Sequence, residues 1–233
     1  MPEPVQKAFS PKEIIKLHGF DIGVDKEAIS PRILRGMMRG WYEEQELHIM
    51  KAMLAKGDRI LELGSATGLS SMWAANIVGQ ENIFPFELNP YLVDWAHDNF
   101  SRNGFDIKVQ QVALAATLQH AAPSIDFHIH EDFWASSLVK PVGNHETIQV
   151  PTACFEDAVS THNINTLLID IEGGEVDLFL KADITDIQKI IMEIHYDAVG
   201  KQATNAMLQH IVAQGFFLDH TISANGVVAL YRM

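Results

Sequence analysis

The stretch Arg59-Ile60-Leu61-Glu62-Leu63-Gly64-Ser65-Ala66-Thr67-Gly68 decides the fold. A short apolar strand runs into a turn bounded by two glycines, and Leu69 to Val78 then has the length and composition of a helix. Downstream, Asn82 to Glu87 reads as a second strand, with Pro85 pointing to a bulge or an irregular end. Asn89-Pro90 caps and starts a helix whose Leu92, Trp95, Ala96 and Phe100 share a face. Further strands are expected from Ile107 to Leu114, Ser124 to His130, Thr147 to Val150, Thr166 to Ile171 and Gln188 to Ile194. Helices are expected from Cys154 to His162, Glu175 to Leu180 and Ala203 to Gln214. Phe216 to Ile222 and Val227 to Arg232 flank Asn225-Gly226, a strong hairpin signal. Alternating helices and continuous apolar strands predict an α/β fold with a mainly parallel sheet covered on both faces and an antiparallel hairpin at its end.

Upstream of that stretch the pattern changes. Ser10-Pro11-Lys12-Glu13 predicts the start of a short helix through Ile14, Ile15 and Leu17. Gly19 to Ser30 reads as loop, and Tyr42 to Leu54 as a longer helix. The expected division is an N-terminal helical cap, residues 1–56, and a sheet domain, residues 57–233. The cap is expected to cover the strand ends, and substrate contact, homodimer formation and completion of the core are all open roles for it.

Composition limits the function. Lys+Arg number 17 against 30 Asp+Glu in 233 residues, a net charge of −13. Such a surface repels phosphate backbones and anionic headgroups, so neither nucleic acid nor membrane is an expected partner. No apolar run approaches the roughly 20 residues that span a bilayer. Cys154 is the single cysteine, which excludes an internal disulfide and a cysteine-rich zinc site and fits a reducing, cytoplasmic setting. The Met1-Pro2-Glu3-Pro4 start lacks a secretory signal pattern.

In open parallel sheets ligands bind at the carboxyl ends of strands. There the first strand offers Glu62-x-Gly64-x-x-x-Gly68, not the G-x-G-x-x-G of a dinucleotide site. A carboxylate beside the loop suits a cationic ligand and opposes a pyrophosphate. Glu87 ends the next strand, where an acidic side chain can accept bonds from ribose hydroxyls. Asp170, Glu172 and Glu175 crowd the end of a later strand, which raises a carboxyl pKa or recruits a cation. Glu193 and His195 alternate on one face of the following strand, so His195 is a candidate base near Asp170. His128, His130 and Glu131 form a second polar group, read as an exposed edge strand in preference to a metal site.

These residues resemble the cofactor site of the Rossmann-like S-adenosylmethionine-dependent methyltransferases. Leu168-Ile169-Asp170-Ile171-Glu172-Gly173-Gly174-Glu175, with Val150 to Val159 before it, is similar to the FkbM-type family among them. Trp41-Tyr42-Glu43, Ser136-Ser137-Leu138 and Glu193-Ile194-His195 fit that family's pattern too, and the resemblance spans about Gly40 to Met233. Glu62-Leu63-Gly64-Ser65-Ala66 departs from the family's commoner Asp-x-Gly-Ala-Asn.

The resemblance implies a three-layer αβα sandwich with a seven-stranded sheet, and S-adenosylmethionine as cofactor. Its site would comprise Glu62, Gly64, Ser65, Ala66, Thr67, Gly68, Glu87, Leu88, Ala113, Asp170 and Glu172. Glu62 would offset the cation, the backbone N–H groups of Ser65 to Leu69 would meet the carboxylate, and Ala113 would wall the adenine. The expected reaction is O-methylation of a hydroxyl on a small metabolite or natural product, with His195 as base and Asp170 or Glu193 orienting it. Trp41, Glu43, Trp134, Ser137 and Glu175 are the expected acceptor contacts. Asp170, Glu193 and His195 could instead hold a divalent metal that activates the hydroxyl. N- or carboxyl-methylation, a non-catalytic S-adenosylmethionine-binding module and a nicotinamide-dependent oxidoreductase are the rival readings.

Overall fold

The computed structural model describes residues 10–116, 122–130, 136–138 and 144–233. Its first element corrects the expectation of a helix after Ser10. Strands β1 (Glu13–Leu17) and β2 (Phe20–Val24) form an antiparallel hairpin. His18 and Gly19 between them both have positive φ, 49° and 94°, as a two-residue turn that follows the strand twist requires. Leu17, Phe20, Ile22 and Val24 are buried. The buried apolar run Phe20, Ile22 and Val24 on β2 outweighs the capping residues of Ser10-Pro11, which are turn residues as readily as helix starters.

Two helices complete the N-terminal part. In α1 (Pro31–Arg39) the Ser30 side chain accepts the Ile33 N–H, and Gly40 closes the helix in the left-handed region. Helix α2 (Glu44–Met53) falls where Tyr42 to Leu54 placed it.

The alternating part follows as β3 (Ile60–Leu63), α3 (Leu69–Val78), β4 (Ile83–Phe86), α4 (Pro90–Arg102), β5 (Ala113–Ala115), β6 (Ser124–His130) and β7 (His145–Cys154). Then come α5 (Phe155–His162), β8 (Thr166–Ile169), α6 (Glu175–Phe179), β9 (Lys189–Glu193), α7 (Tyr196–Val199), α8 (Lys201–Ala213), β10 (Phe217–Leu218) and β11 (Val227–Tyr231). The main sheet has the order β10-β11-β9-β8-β3-β4. β9, β8, β3 and β4 run parallel, and β11 lies antiparallel to β9. The expected fold class holds, with one difference in the sheet. Ile107 to Leu114 does not make a full seventh strand, and a single parallel bridge from Phe86 to Gln110 marks its place. Pro85 belongs on that edge. Its carbonyl accepts the Gln110 N–H at 2.9 Å, and the N–H it lacks would have faced the same thinly paired side.

Beyond Gln110 the chain joins a second sheet of order β5-β7-β6. Thr147 to Val150 pairs antiparallel with Ile125 to His128, inside a longer β7.

Adjacent residues of each central strand feed opposite faces. Ile60, Leu168 and Ile191 pack with α2, α3, α4 and the hairpin, whereas Leu61, Leu167 and Ile190 pack with α5, α6 and α8. This division makes the three layers.

The hairpin does not cover the strand ends; it docks on α4. Trp95, Asn99 and Asn103 are spaced four residues apart and so share one helix face. The Trp95 indole donates to the Gly23 carbonyl at 2.7 Å, and Asn99 accepts the Gly23 N–H at 2.9 Å. Asn103 accepts the Asp21 N–H and donates to the Asp21 carbonyl, both at 2.8 Å. Side chains of a helix thus satisfy the strand edge that another strand would otherwise pair. Asn99 also donates to the Thr67 carbonyl at 2.9 Å, which ties the hairpin to the glycine turn. Replacing Asn99 by Ala leaves the buried Gly23 N–H and Thr67 carbonyl unpaired. A loss of about 2–4 kcal/mol is expected in urea denaturation.

Candidate active site

The turn after β3 is shaped by a close approach. Gly64 has φ +86°, and a Cβ there would stand 1.8 Å from the carbonyl oxygen of Asp170. A side chain at this position is therefore incompatible with parallel pairing of β3 and β8 up to their ends. Gly68, at φ +76°, is excluded from carrying a side chain by the Phe100 ring, 2.5 Å from the same hypothetical atom.

The loop's own groups knit it together, which corrects one expectation. Ser65 donates to Phe86, Gly68 to Ser65, and Leu69 to the Thr67 hydroxyl. Ala66 donates to the Glu87 carboxylate at 3.1 Å. These N–H groups are engaged within the protein and do not point as a set at an anion. Glu62 is likewise directed inward. It is 2% exposed and accepts from the hydroxyls of Ser70 and Ser71 on α3. Burial pushes its carboxyl up to about 7 against the pull of those hydroxyls. Glu87 also accepts the Asn89 N–H at 2.9 Å, and burial raises its pKa over the opposing effect of its backbone donors.

A cavity of about 1240 Å³ opens at the carboxyl ends of the strands. Of the expected cofactor set, Gly64, Ala66, Glu87, Leu88, Ala113, Asp170 and Glu172 line it, while Glu62, Ser65, Thr67 and Gly68 lie behind the wall. Of the expected acceptor contacts, Trp41 and Glu43 line it. Ser137 instead braces the wall by donating to the Glu172 carbonyl at 2.8 Å. Trp134 and Glu131 fall outside the described residues.

The acidic cluster assembles as expected around His195, but His195 does not line the cavity. Its Nδ1 lies 2.8 Å from Glu175, which is 2% exposed. Its Nε2 lies 3.3 Å from Asp170, 3.6 Å from Glu172 and 4.0 Å from Glu193. Burial pulls the imidazolium down, but the Glu175 hydrogen bond and the charges of Asp170, Glu172 and Glu175 outweigh it and lift the pKa to about 9. The carboxyls move with it. Burial, with Glu193 adding repulsion, holds Asp170 well above the usual carboxylate range, and Asp170 Oδ1 has no hydrogen-bond partner. Burial brings Glu172 to about 7. Glu43 is raised as well, by burial and then by Glu46, Glu62 and Asp170.

Ligand atoms of Asp170, Glu193 and His195 lie within 4.8 Å of one another, and among the described residues this is the group that could hold a metal. His128 and His130 do not belong to it. The reading of an exposed edge strand is corrected at His128, which is buried, bonds Thr147 at 2.9 Å, meets the His145 ring edge-on and exchanges backbone hydrogen bonds with Ser137 at 3.0 Å.

Sequence reasoning missed Arg32, Arg35 and Arg39, which line the cavity from α1. The signal was present: Ser30-Pro31 is a helix start, and three arginines at spacings of three and four share a face.

Residues 43–218 match the family model for the methyltransferase FkbM domain. No curated protein matches the chain. Among solved structures, precorrin-6y C5,15-methyltransferase from Geobacter metallireducens GS-15 is similar at 13% identity and a TM-score of 0.48, over 90% of this chain and 96% of that one. An O-methyltransferase from Bacillus cereus in complex with SAH is similar at 14% identity and a TM-score of 0.47, over 90% and 84%. Ribosomal protein L11 methylase from Lactobacillus delbrueckii subsp. bulgaricus is similar at 14% identity and a TM-score of 0.46, over 81% and 76%. No helix among the described residues is long and apolar enough to cross a membrane.

The cluster makes stability depend on pH. Glu62 and Glu172 hold their protons more tightly folded, at about 7, than unfolded, at 4.5. His195 does the same, at about 9 against 6.5. Their stabilisation is complete below the unfolded values and is lost as pH rises through the folded ones. The melting temperature of the free protein is therefore expected to fall between pH 5 and pH 9, and His195→Gln is expected to flatten the part above pH 7. A melting temperature that climbs over that range contradicts this account.

Proposed function

We propose that this chain, which belongs to the FkbM methyltransferase family, transfers the methyl group of S-adenosylmethionine to a hydroxyl of a small metabolite. The observation that carries the reading is the contact of Gly64 with the Asp170 carbonyl. It brings the glycine loop and the acidic end of β8 onto one cavity wall, so a donor on the loop and an acceptor beside Asp170 meet in one enclosure. At about 1240 Å³ that enclosure exceeds the roughly 300–1,000 Å³ of sites for single small molecules, which leaves room for both.

Bound there, S-adenosylmethionine supplies a methyl group on a positively charged sulfur. Asp170, Glu172 and Glu43 meet that charge; burial first and neighbouring carboxylates second raise their pKa values, and a cation beside them would favour the ionised forms. Glu87 is the acceptor for ribose hydroxyls at the loop, with Leu88 and Ala113 as the apolar walls of a flat ring. Holding the two reactants in line contributes several kcal/mol.

The proton of the hydroxyl goes to Asp170. This revises the role given to His195. Asp170 lines the cavity, and burial, then the Glu193 charge, raises its carboxyl well above the usual carboxylate range, which makes it a stronger base than an ordinary aspartate. His195 stands behind it, fixed by Glu175, and positions the carboxylate. A neutral hydroxyl suits this wall, whereas a carboxylate acceptor would face Asp170, Glu172 and Glu193 as like charges. A metal-assisted variant is supported by the convergence of Asp170, Glu193 and His195.

The test is a screen of the purified protein against hydroxylated, amino and carboxylate acceptors, with S-adenosylhomocysteine as the detected product. Hydroxylated acceptors are expected to turn over. Asp170→Asn is expected to lower turnover about 10²–10⁴-fold with little change in S-adenosylhomocysteine affinity, and His195→Ala to lower it less while shifting the pH profile. Full turnover by the Asp170 variant would discard it as the base. Activity is expected to survive exhaustive dialysis against a chelator; loss restored by a divalent cation selects the metal-assisted variant.

A further inference from the structure

The proposed reaction leaves one wall of the cavity without a task. Arg32, Arg35 and Arg39 line it from α1, at spacings that put all three on one face of a nine-residue helix. The opposite face carries Ile33, Leu34 and Met37, which pack into the core. Only 17 of 233 residues are Lys or Arg and the chain carries a net charge of −13, so three arginines on one short face of this cavity are a local reversal of sign.

Folding does not call for the charges of Arg35 and Arg39. All three side chains are exposed on the cavity side. Among the described residues neither Arg35 nor Arg39 forms an ion pair. Arg39 lies over the Trp41 ring, 4.7 Å from its centroid, which holds the guanidinium in place at the cavity edge. Planar guanidinium forks match phosphate oxygens, and three of them suit a group with more than one negative charge.

We infer that the acceptor bears a phosphate group and that Arg32, Arg35 and Arg39 hold it at the cap, while its hydroxyl lies at the Asp170 side. The inference rests on the methyltransferase reading and adds a substrate class to it: a hydroxylated, phosphate-bearing small molecule. The arginines also explain how so acidic a protein admits an anionic acceptor. They supply a local attraction against the repulsion of the whole chain.

Calorimetry tests this with inorganic pyrophosphate as the probe and the full chain saturated with S-adenosylhomocysteine. Pyrophosphate is expected to bind, more weakly as salt rises. The Arg35→Gln/Arg39→Gln variant is expected to bind it about tenfold less tightly or worse, with S-adenosylhomocysteine affinity unchanged. The matching Arg→Lys variant, which keeps the charge, is expected to recover part of the loss. Binding of S-adenosylhomocysteine without pyrophosphate, or of succinate in preference to pyrophosphate, overturns the phosphate site alone. An equal loss of S-adenosylhomocysteine affinity in the Gln variant assigns the arginines to the cofactor and overturns it too. Failure of the wild-type protein to bind S-adenosylhomocysteine overturns the methyltransferase reading and the inference with it.

Discussion

The absence of a side chain at Gly64 lets β3 and β8 stay paired to their carboxyl ends. With the Asp170 carbonyl 1.8 Å from where a Cβ would be, any other residue would force these strands apart at that point. The pairing matters because the two strands carry different parts of the site. β3 delivers the glycine turn, and β8 delivers Asp170 and the turn bearing Glu172. Each neighbour then adds its share: β4 brings Glu87 to the turn, and β9 brings Glu193 and, just past its end, His195. One steric requirement thus fixes the register in which four strand ends meet.

What meets there is electrostatically costly. Several carboxyls share a poorly solvated volume, and their pKa values rise because burial and mutual repulsion disfavour the charged forms. The His195 proton offsets part of this, which is why the imidazole holds it so tightly. The same reasoning separates roles that residue type alone leaves merged. Glu62 serves the helix beneath the loop, Glu175 serves His195, and Asp170, Glu172 and Glu193 face the cavity.

The N-terminal segment is joined to this arrangement by polar contacts as well as by apolar packing. Trp95, Asn99 and Asn103 bind the backbone of β2, and Asn99 reaches on to the glycine turn. The hairpin therefore supports the loop from outside, while α1 and α2 close the cavity from above with arginines and Glu43.

The sequence by itself determined the α/β class, the glycine turn and the acidic strand ends. Those features are local: a period of apolar residues, a turn that needs glycine, a carboxylate at a fixed offset from a strand. It also carried the capping signal of α1, although the apolar spacing there was too short to stand out. It could not determine that Ser10-Pro11 precedes a strand, because the same residues cap helices and make turns, and the burial of Ile22 and Val24 that settles the matter comes from α4, some 70 residues away. Nor could it separate Asp170 from His195 as the group lining the cavity. Both lie at neighbouring strand ends in the sequence pattern, and which of them reaches the cavity depends on the Glu175 bond that draws the imidazole back. Such distinctions belong to the tertiary structure because they depend on which groups share a volume, and no spacing along a single chain encodes that.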